Sequence, residues 1–141
     1  FKKALYFAVE ILKREMAGAK AEIGGAKLTE EAIRKQNAPE VLILEKYWDW
    51  EKAVSRHTSI KFVVYQHRSG ENWSIQSGRD NLENYNSDRA KMPENWWGLR
   101  DKELAGESGI QDAVFCHQGG FFAVAKSKEG AVAMAQKALG R

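Results

Sequence analysis

Apolar positions along the chain recur with two different periods. In "FKKALYFAVEILKREM", Phe1, Leu5, Ala8, Val9, Leu12 and Met16 fall every three to four residues, which predicts a helix over residues 1–17. The chain thus opens inside a helix and reads as a piece of a longer protein. "VLIL" (Val41–Leu44) is a short apolar run with β-branched residues and predicts a strand. "IKFVVYQH" and "NWSIQS" flank the turn "RSGE" and predict a hairpin. Alternation places Phe62, Val64 and Gln66 on one face of its first strand, and Val63, Tyr65 and His67 on the other. "AVFCH" and "FFAVA", joined through Gly119-Gly120, predict a second hairpin.

Helical signals lie between these strands. The small-residue patch "AGAKAEIGGAK" predicts fraying, with Gly24-Gly25 as a break. Thr29 then reads as the N-cap of a short helix ending near Asn37, with Glu30 and Glu31 in its first turn and Pro39 as its stop. Asp49 is placed to cap a turn or two over "DWEKAVSR". A short helix from about Arg100 to Ala105 closes at Gly106 or Gly109, and Ser127 caps a last helix over "KEGAVAMAQKAL". "RDNLENYNSDR" is polar and predicts a loop. The expected architecture is α+β: a largely antiparallel or mixed sheet flanked by helices, one domain over 1–141, with 1–17 as an interdomain helix.

Composition narrows the function only coarsely. The net charge of +3 is spread over 22 basic and 19 acidic residues, with no basic run, so an anionic partner is permitted but not demanded. A single cysteine, Cys116, excludes an internal disulfide framework and fits a reducing compartment. No apolar run reaches the roughly 18 residues of a membrane span.

Gly120 and "AKS" at 125–127 nearly spell a phosphate loop. The residues between are Phe121, Phe122, Ala123 and Val124, which favour an extended, packed backbone, and Ala125 stands where glycine is required. The stretch therefore reads as turn, strand and helix start. Lys126 and Lys128 beside that helix start suggest a modest anion site, with a plain solvated helix end as the alternative. Cys116 and His117 are strand neighbours and point to opposite faces. Cys116 is expected in the core, and His117 at the strand end, in a position suited to substrate. His57, His67 and His117 lack metal-ligand spacing, and no paired carboxylates stand out for acid–base work. Of the five tryptophans, Trp97 is expected to be exposed with Trp96 turned inward.

From Arg89 onward, "MPENWWGLRDKELAGESGIQDAVFCHQGGFF" and "KSKEGAVAMAQKAL" resemble the C-terminal part of the Myg family, within the DHH phosphoesterase superfamily. The resemblance is carried by Arg89, Pro93, Glu94, Trp96, Gly98, Leu99, Arg100, Asp101, Ser108, Gly109, Phe115, His117, Gly120, Phe121, Glu129 and Gly130. Trp50, and Trp73 with Gln76, extend it more loosely upstream. It implies a substrate-binding domain like the DHH-associated domain of that superfamily. Catalytic divalent metal, typically manganese, would be held by an N-terminal DHH domain of the same full-length chain, with none in this chain. The motif for that metal is absent here, so the chain alone would be inert, whereas the full-length protein would be a metal-dependent hydrolase of RNA or a nucleotide. Relatives in eukaryotes act as 3′–5′ RNA exonucleases. By resemblance, Arg89 and His117, with the Gly119-Gly120 turn, would face substrate phosphate. Trp97 and Arg100 join them as candidate substrate contacts.

The resemblance implies no membrane partner and leaves a homodimer open. It implies a cytoplasmic protein in a bacterium, or a mitochondrial or nuclear one in a eukaryote. Two departures from the family pattern stand out: Ala123-Val124 replaces Gly-Gly, and Gly78-Arg79 replaces Val-Pro. The alternatives are a stand-alone nucleic-acid-binding module and a purely structural interaction domain.

Overall fold

A computed structural model describes residues 24–84 and 86–141. The helix expected over 1–17 lies outside them. Five strands form one mixed sheet in the order β1-β2-β3-β5-β4. They are β1 (Val41–Leu44), β2 (Phe62–Gln66), β3 (Trp73–Ser77), β4 (Ala113–Cys116) and β5 (Phe122–Ala125). Both predicted hairpins form: β2 pairs antiparallel with β3, and β4 with β5. β5 also pairs antiparallel with β3, while β1 runs parallel to β2. The helices are α1 (24–35), α2 (Glu51–Ser55), α3 (Asp101–Ser108) and α4 (Lys128–Ala138), with a 3-10 turn at Glu94–Trp96. The α+β expectation is met.

The sheet has two unlike faces. Phe62, Val64, Ile75, Ala123 and Cys116 point to one, where α4 packs Ala131, Met134 and Ala135 against them, all fully buried. Fully burying one such aliphatic or aromatic side chain contributes roughly 1.5–3 kcal/mol, so this layer is the main core. On the opposite face, Leu42, Leu44, Val63 and Tyr65 meet Ile33 of α1, Trp50 just before α2, and Val54 of α2. The cross-strand register then carries that face onward as two rows, Tyr65–Ser74–Val124–Phe115 and Val63–Gln76–Phe122. Residues directly opposite in a ladder share a face. Among the described residues, the main helix contacts with β3, β5 and β4 come from α4 and, at β4, from α3, whose Leu104 lies in the main core.

Several local expectations change. Gly24 and Gly25 are helical and are the first two described residues of α1; the rest of the small-residue patch before them lies outside the described residues. A Cβ on Gly25 would run into the backbone of Asp49, so the glycine admits close packing of the 47–50 segment. Thr29 is buried in mid-helix and caps nothing: its hydroxyl donates to the Gly25 carbonyl (2.7 Å) and accepts from the Trp48 indole (2.9 Å). Long-range packing has overridden a local capping signal. The chain leaves α1 through left-handed Asn37 and Ala38. Asp49 gives way to Trp50 as the residue before α2, and no side chain caps there. α3 runs one turn longer than expected, to Ser108, and ends on Gly109 at φ 73°, a conformation that suits glycine.

Both outer strands are guarded. The Gln36 amide donates to the Ile43 carbonyl (2.7 Å) and accepts from the Ile43 N–H (3.0 Å) on β1. At the other edge, Gly98 N–H donates to Cys116 O (3.0 Å) and Cys116 N–H to Leu99 O (3.1 Å).

Candidate functional site: the 117–121 turn and its ring-and-cation band

β4 ends at Cys116, and the chain turns back through His117–Phe121. Gly120 sits at φ 73°, and a Cβ on it would collide with the Trp97 indole. Only glycine serves both conditions. The indole of Trp97 donates to Met92 O (2.8 Å), and Met92 N–H donates to Gly120 O (2.8 Å). The segment 92–97 and the turn are thereby clamped together. Trp96 is buried and Trp97 half-buried, so the inward assignment holds for Trp96 while Trp97 is spent chiefly on packing.

His117 is exposed at the end of β4. Its Nδ1 accepts from the Gly119 N–H at 2.9 Å. In the neutral ring this bond puts the proton on Nε2, which becomes a donor facing outward. The imidazole lies 4.5 Å from the Phe121 ring and 6.3 Å from Phe115, centroid to centroid. Phe115 in turn sits 6.4 Å from Phe122. Two guanidiniums flank these rings: Arg100 Cζ is 4.7 Å from the Phe115 centroid, and Arg79 Cζ 5.5 Å from Phe121. Lys91 Nζ stands 5.7 Å from the Trp97 ring. The charges differ in kind. Arg79 is tied at 2.7 Å to Asp88, a carboxylate nearly without solvent contact, whereas Arg100 is exposed before α3. An exposed guanidinium over a ring is suited to a phosphate or a base, as it offers both a planar fork and a π-stacking face.

The structure thus brings together His117, Gly119, Gly120, Trp97 and Arg100. It does not bring Arg89 to them. The Arg89 side chain is only 3% exposed. Its Nη1 donates to the carbonyls of Val54 (3.0 Å), His57 (2.8 Å) and Ile60 (2.9 Å), and its Nη2 to those of Ser55 (3.0 Å) and Arg79 (3.1 Å). Nε donates to Asp80 Oδ1 at 2.7 Å. Every guanidinium nitrogen is engaged, and no N–H is left for a phosphate. The expectation that Arg89 faces substrate is corrected on this ground: it pins the C-terminus of α2 and the 57–60 turn to the base of the 79–89 loop. Gly78 follows from the same packing, since a Cβ there would meet Ile60 O at 2.7 Å and Arg89 Nη1 at 3.2 Å.

The start of α4 is also already taken. Ser127 caps it as predicted, with Oγ accepting from Gly130 N–H at 3.0 Å. The Asp112 carboxylate accepts from the Ser127 hydroxyl and lies where a Gly130 Cβ would be. A carboxylate of the chain itself fills the position open to an anion, and Lys128 pairs with Glu45. Ala123, one of the two departures from the family pattern, is wholly buried beneath α4. Cys116 is in the core as expected, and burial pushes its thiol up to about 11, which leaves it protonated and unreactive at neutral pH. Among the described residues, no three His, Cys, Asp or Glu side chains gather to hold a metal ion.

Sequence reading missed Arg79, Phe115 and Phe121 as members of the band. For Phe115 and Phe121 the signal was the register of the second hairpin, which determines which rings lie beside His117; Arg79 comes from the loop after β3 and had no such signal. It also missed a cleft of about 460 Å³ beyond β3, lined among others by Tyr47, Trp48, Trp50, Tyr65, Gln76 and Arg56.

Comparison with known proteins gives the family. The family model MYG1_exonuc, "Uncharacterised protein family (UPF0160)", matches residues 1–139. The MYG1 protein of Dictyostelium discoideum is 38% identical over 115 residues, covering 75% of this chain and 34% of that relative. The MYG1 exonuclease of Homo sapiens is 36% identical over 95 residues, covering 67% of this chain and 25% of the relative. The MYG1 protein C694.04c of Schizosaccharomyces pombe is 31% identical over 119 residues, with 79% and 36% covered. The chain therefore spans about a third of the length of these relatives or less. No solved structure matches it significantly. With the match running almost end to end, the chain belongs to the MYG1 family.

Proposed function

We propose that this chain is the substrate-binding part of a Myg-like exonuclease of the DHH superfamily, acting on single-stranded RNA or a nucleotide. The observation that carries the reading is His117, held on the Gly119-Gly120 turn amid phenylalanine rings with Arg79 and Arg100 at their two sides. Rings offer stacking to bases of any sequence, and the cations attract the backbone. Arg100 and the His117 Nε2–H are the groups best placed to hold a phosphate, with Trp97 and Gly120 as the scaffold that aims them. Bond cleavage belongs to an N-terminal domain, where bound divalent metal, manganese by resemblance, would activate the attacking water. The residues described here bind and orient. They contribute no nucleophile.

The test is fluorescence anisotropy of a labelled single-stranded RNA with the chain over a range of salt. Binding should fall steeply as salt rises, and Arg100→Ala should weaken it about tenfold or more, as expected for losing a stacked charged contact. Binding unaffected by Arg100→Ala and His117→Ala together would refute the reading. Added manganese should produce no hydrolysis by this chain alone.

A further inference from the structure

The cleft beyond β3 lies apart from the His117 turn but on the same sheet face. Tyr65 and Gln76 belong to its lining. Gln76 stands directly opposite Phe122 in the ladder, and Phe122 touches Phe115 of the ring band. Two strand spacings, with Phe122 of β5 between them, therefore separate Gln76 from the β4 rings.

The walls of the cleft are aromatic and mutually braced. Tyr65 meets Trp50 at 5.9 Å and Tyr47 edge-on at 5.7 Å. Trp48 is oriented by its bond to Thr29. Arg68 lies over the Tyr47 ring at 4.2 Å on its outer side. One polar group among them is oriented from below: the buried Tyr65 hydroxyl donates to Gln76 Oε1 at 3.0 Å. Burial pushes that phenol up to about 12, so it remains a donor across the physiological range. With Oε1 taken by Tyr65, Gln76 Nε2 is the donor that Tyr65 does not use. Arg56 is exposed at the rim.

Aromatic walls, one amide and a cation at the mouth match the parts of a nucleoside phosphate. The volume falls within the roughly 300–1000 Å³ of small-ligand sites. We infer that this cleft is a base-binding pocket, taking one nucleobase against Tyr47 and Trp48 with its edge on Gln76 and its phosphate at Arg56. In naming a nucleotide the inference rests on the proposed function, but it assigns a second contact point, one the His117 turn does not supply. A single strand seated on both would place one base in the cleft and a phosphate further along it near Arg100.

The test is calorimetric titration of the chain with the four nucleoside 5′-monophosphates and with ribose 5-phosphate, which lacks the base. Nucleotides should bind at least about tenfold more tightly than ribose 5-phosphate, the factor expected from stacking one base. Gln76→Leu should lower affinity several-fold and level the differences among the four bases. The exposed-side variants Tyr47→Ala and Arg56→Ala keep the test valid should Gln76→Leu unfold, and each should weaken binding by a similar factor. Equal affinity for ribose 5-phosphate, no binding of any nucleotide, or nucleotide binding untouched by Tyr47→Ala and Arg56→Ala would each overturn the inference. Loss of RNA binding in Arg100→Ala with mononucleotide binding unaltered leaves the cleft standing, whatever becomes of the turn site.

Discussion

Gly120 and Arg89 belong to the same sequence resemblance yet do different work. At Gly120 the backbone needs φ 73° and the Trp97 indole occupies the space of a Cβ. Gly120→Ala should therefore cost about 2–4 kcal/mol, combining a left-handed penalty with overpacking. The check is chemical denaturation. Arg89 supplies a buried cation to five backbone carbonyls. Arg89→Lys keeps the charge but not the fork, and should destabilise by about 3–5 kcal/mol, the scale of breaking a buried charged network. If Arg89→Lys instead left the melting temperature unchanged and abolished RNA binding, the structural role assigned here would be wrong. Burial also raises Cys116 from 9.0 to about 11 and Tyr65 from 10.0 to about 12. Both groups are held neutral more firmly in the fold than in the unfolded chain. Their stabilisation is complete below the unfolded values, and it is lost as pH rises through the folded ones. The melting temperature should hold up to about pH 9 and fall between about pH 9 and 12.

At the scale of elements, strands and hairpins follow from local pattern, while helix starts depend on distant partners. The β2–β3 and β4–β5 hairpins could be read from alternation and glycine turns because both signals lie within a dozen residues. Thr29 could not be read correctly: its capping preference is real, but Trp48 and the Gly25 carbonyl hold it inside α1. Arg89 was misassigned for a related reason. Its partners at 54–60 lie about thirty residues away in sequence, and nothing local to "SDRAKM" announces them. The α4 start was legible as a cap but not as a filled anion site, because Asp112 arrives from β4's end of the sheet. Ser127→Ala should cost roughly 0.5–2 kcal/mol, seen as a lowered melting temperature with nucleotide affinity unchanged.

For the whole molecule, one sheet divides the labour. One face supports α4 and carries the core. The other is covered by α1 and α2 at the β1–β2 end, and at the β3–β5–β4 end bears half-buried rings and the His117 turn. The family resemblance named Arg89 and His117 together as substrate contacts. It could not tell the buried Arg89 from the exposed His117, because a motif match carries no information on burial.

The Arg89 tie has one further consequence. Arg79 is bonded to Asp88, and Arg89 grips both Arg79 O and Asp80 while anchored to α2. The two ends of the intervening loop are therefore held to the body independently of the peptide bonds between them. A protease cut within residues 81–87 should leave two pieces that co-migrate on gel filtration and separate only in denaturant. Circular permutation with new ends opened there should fold, provided Arg89 is retained.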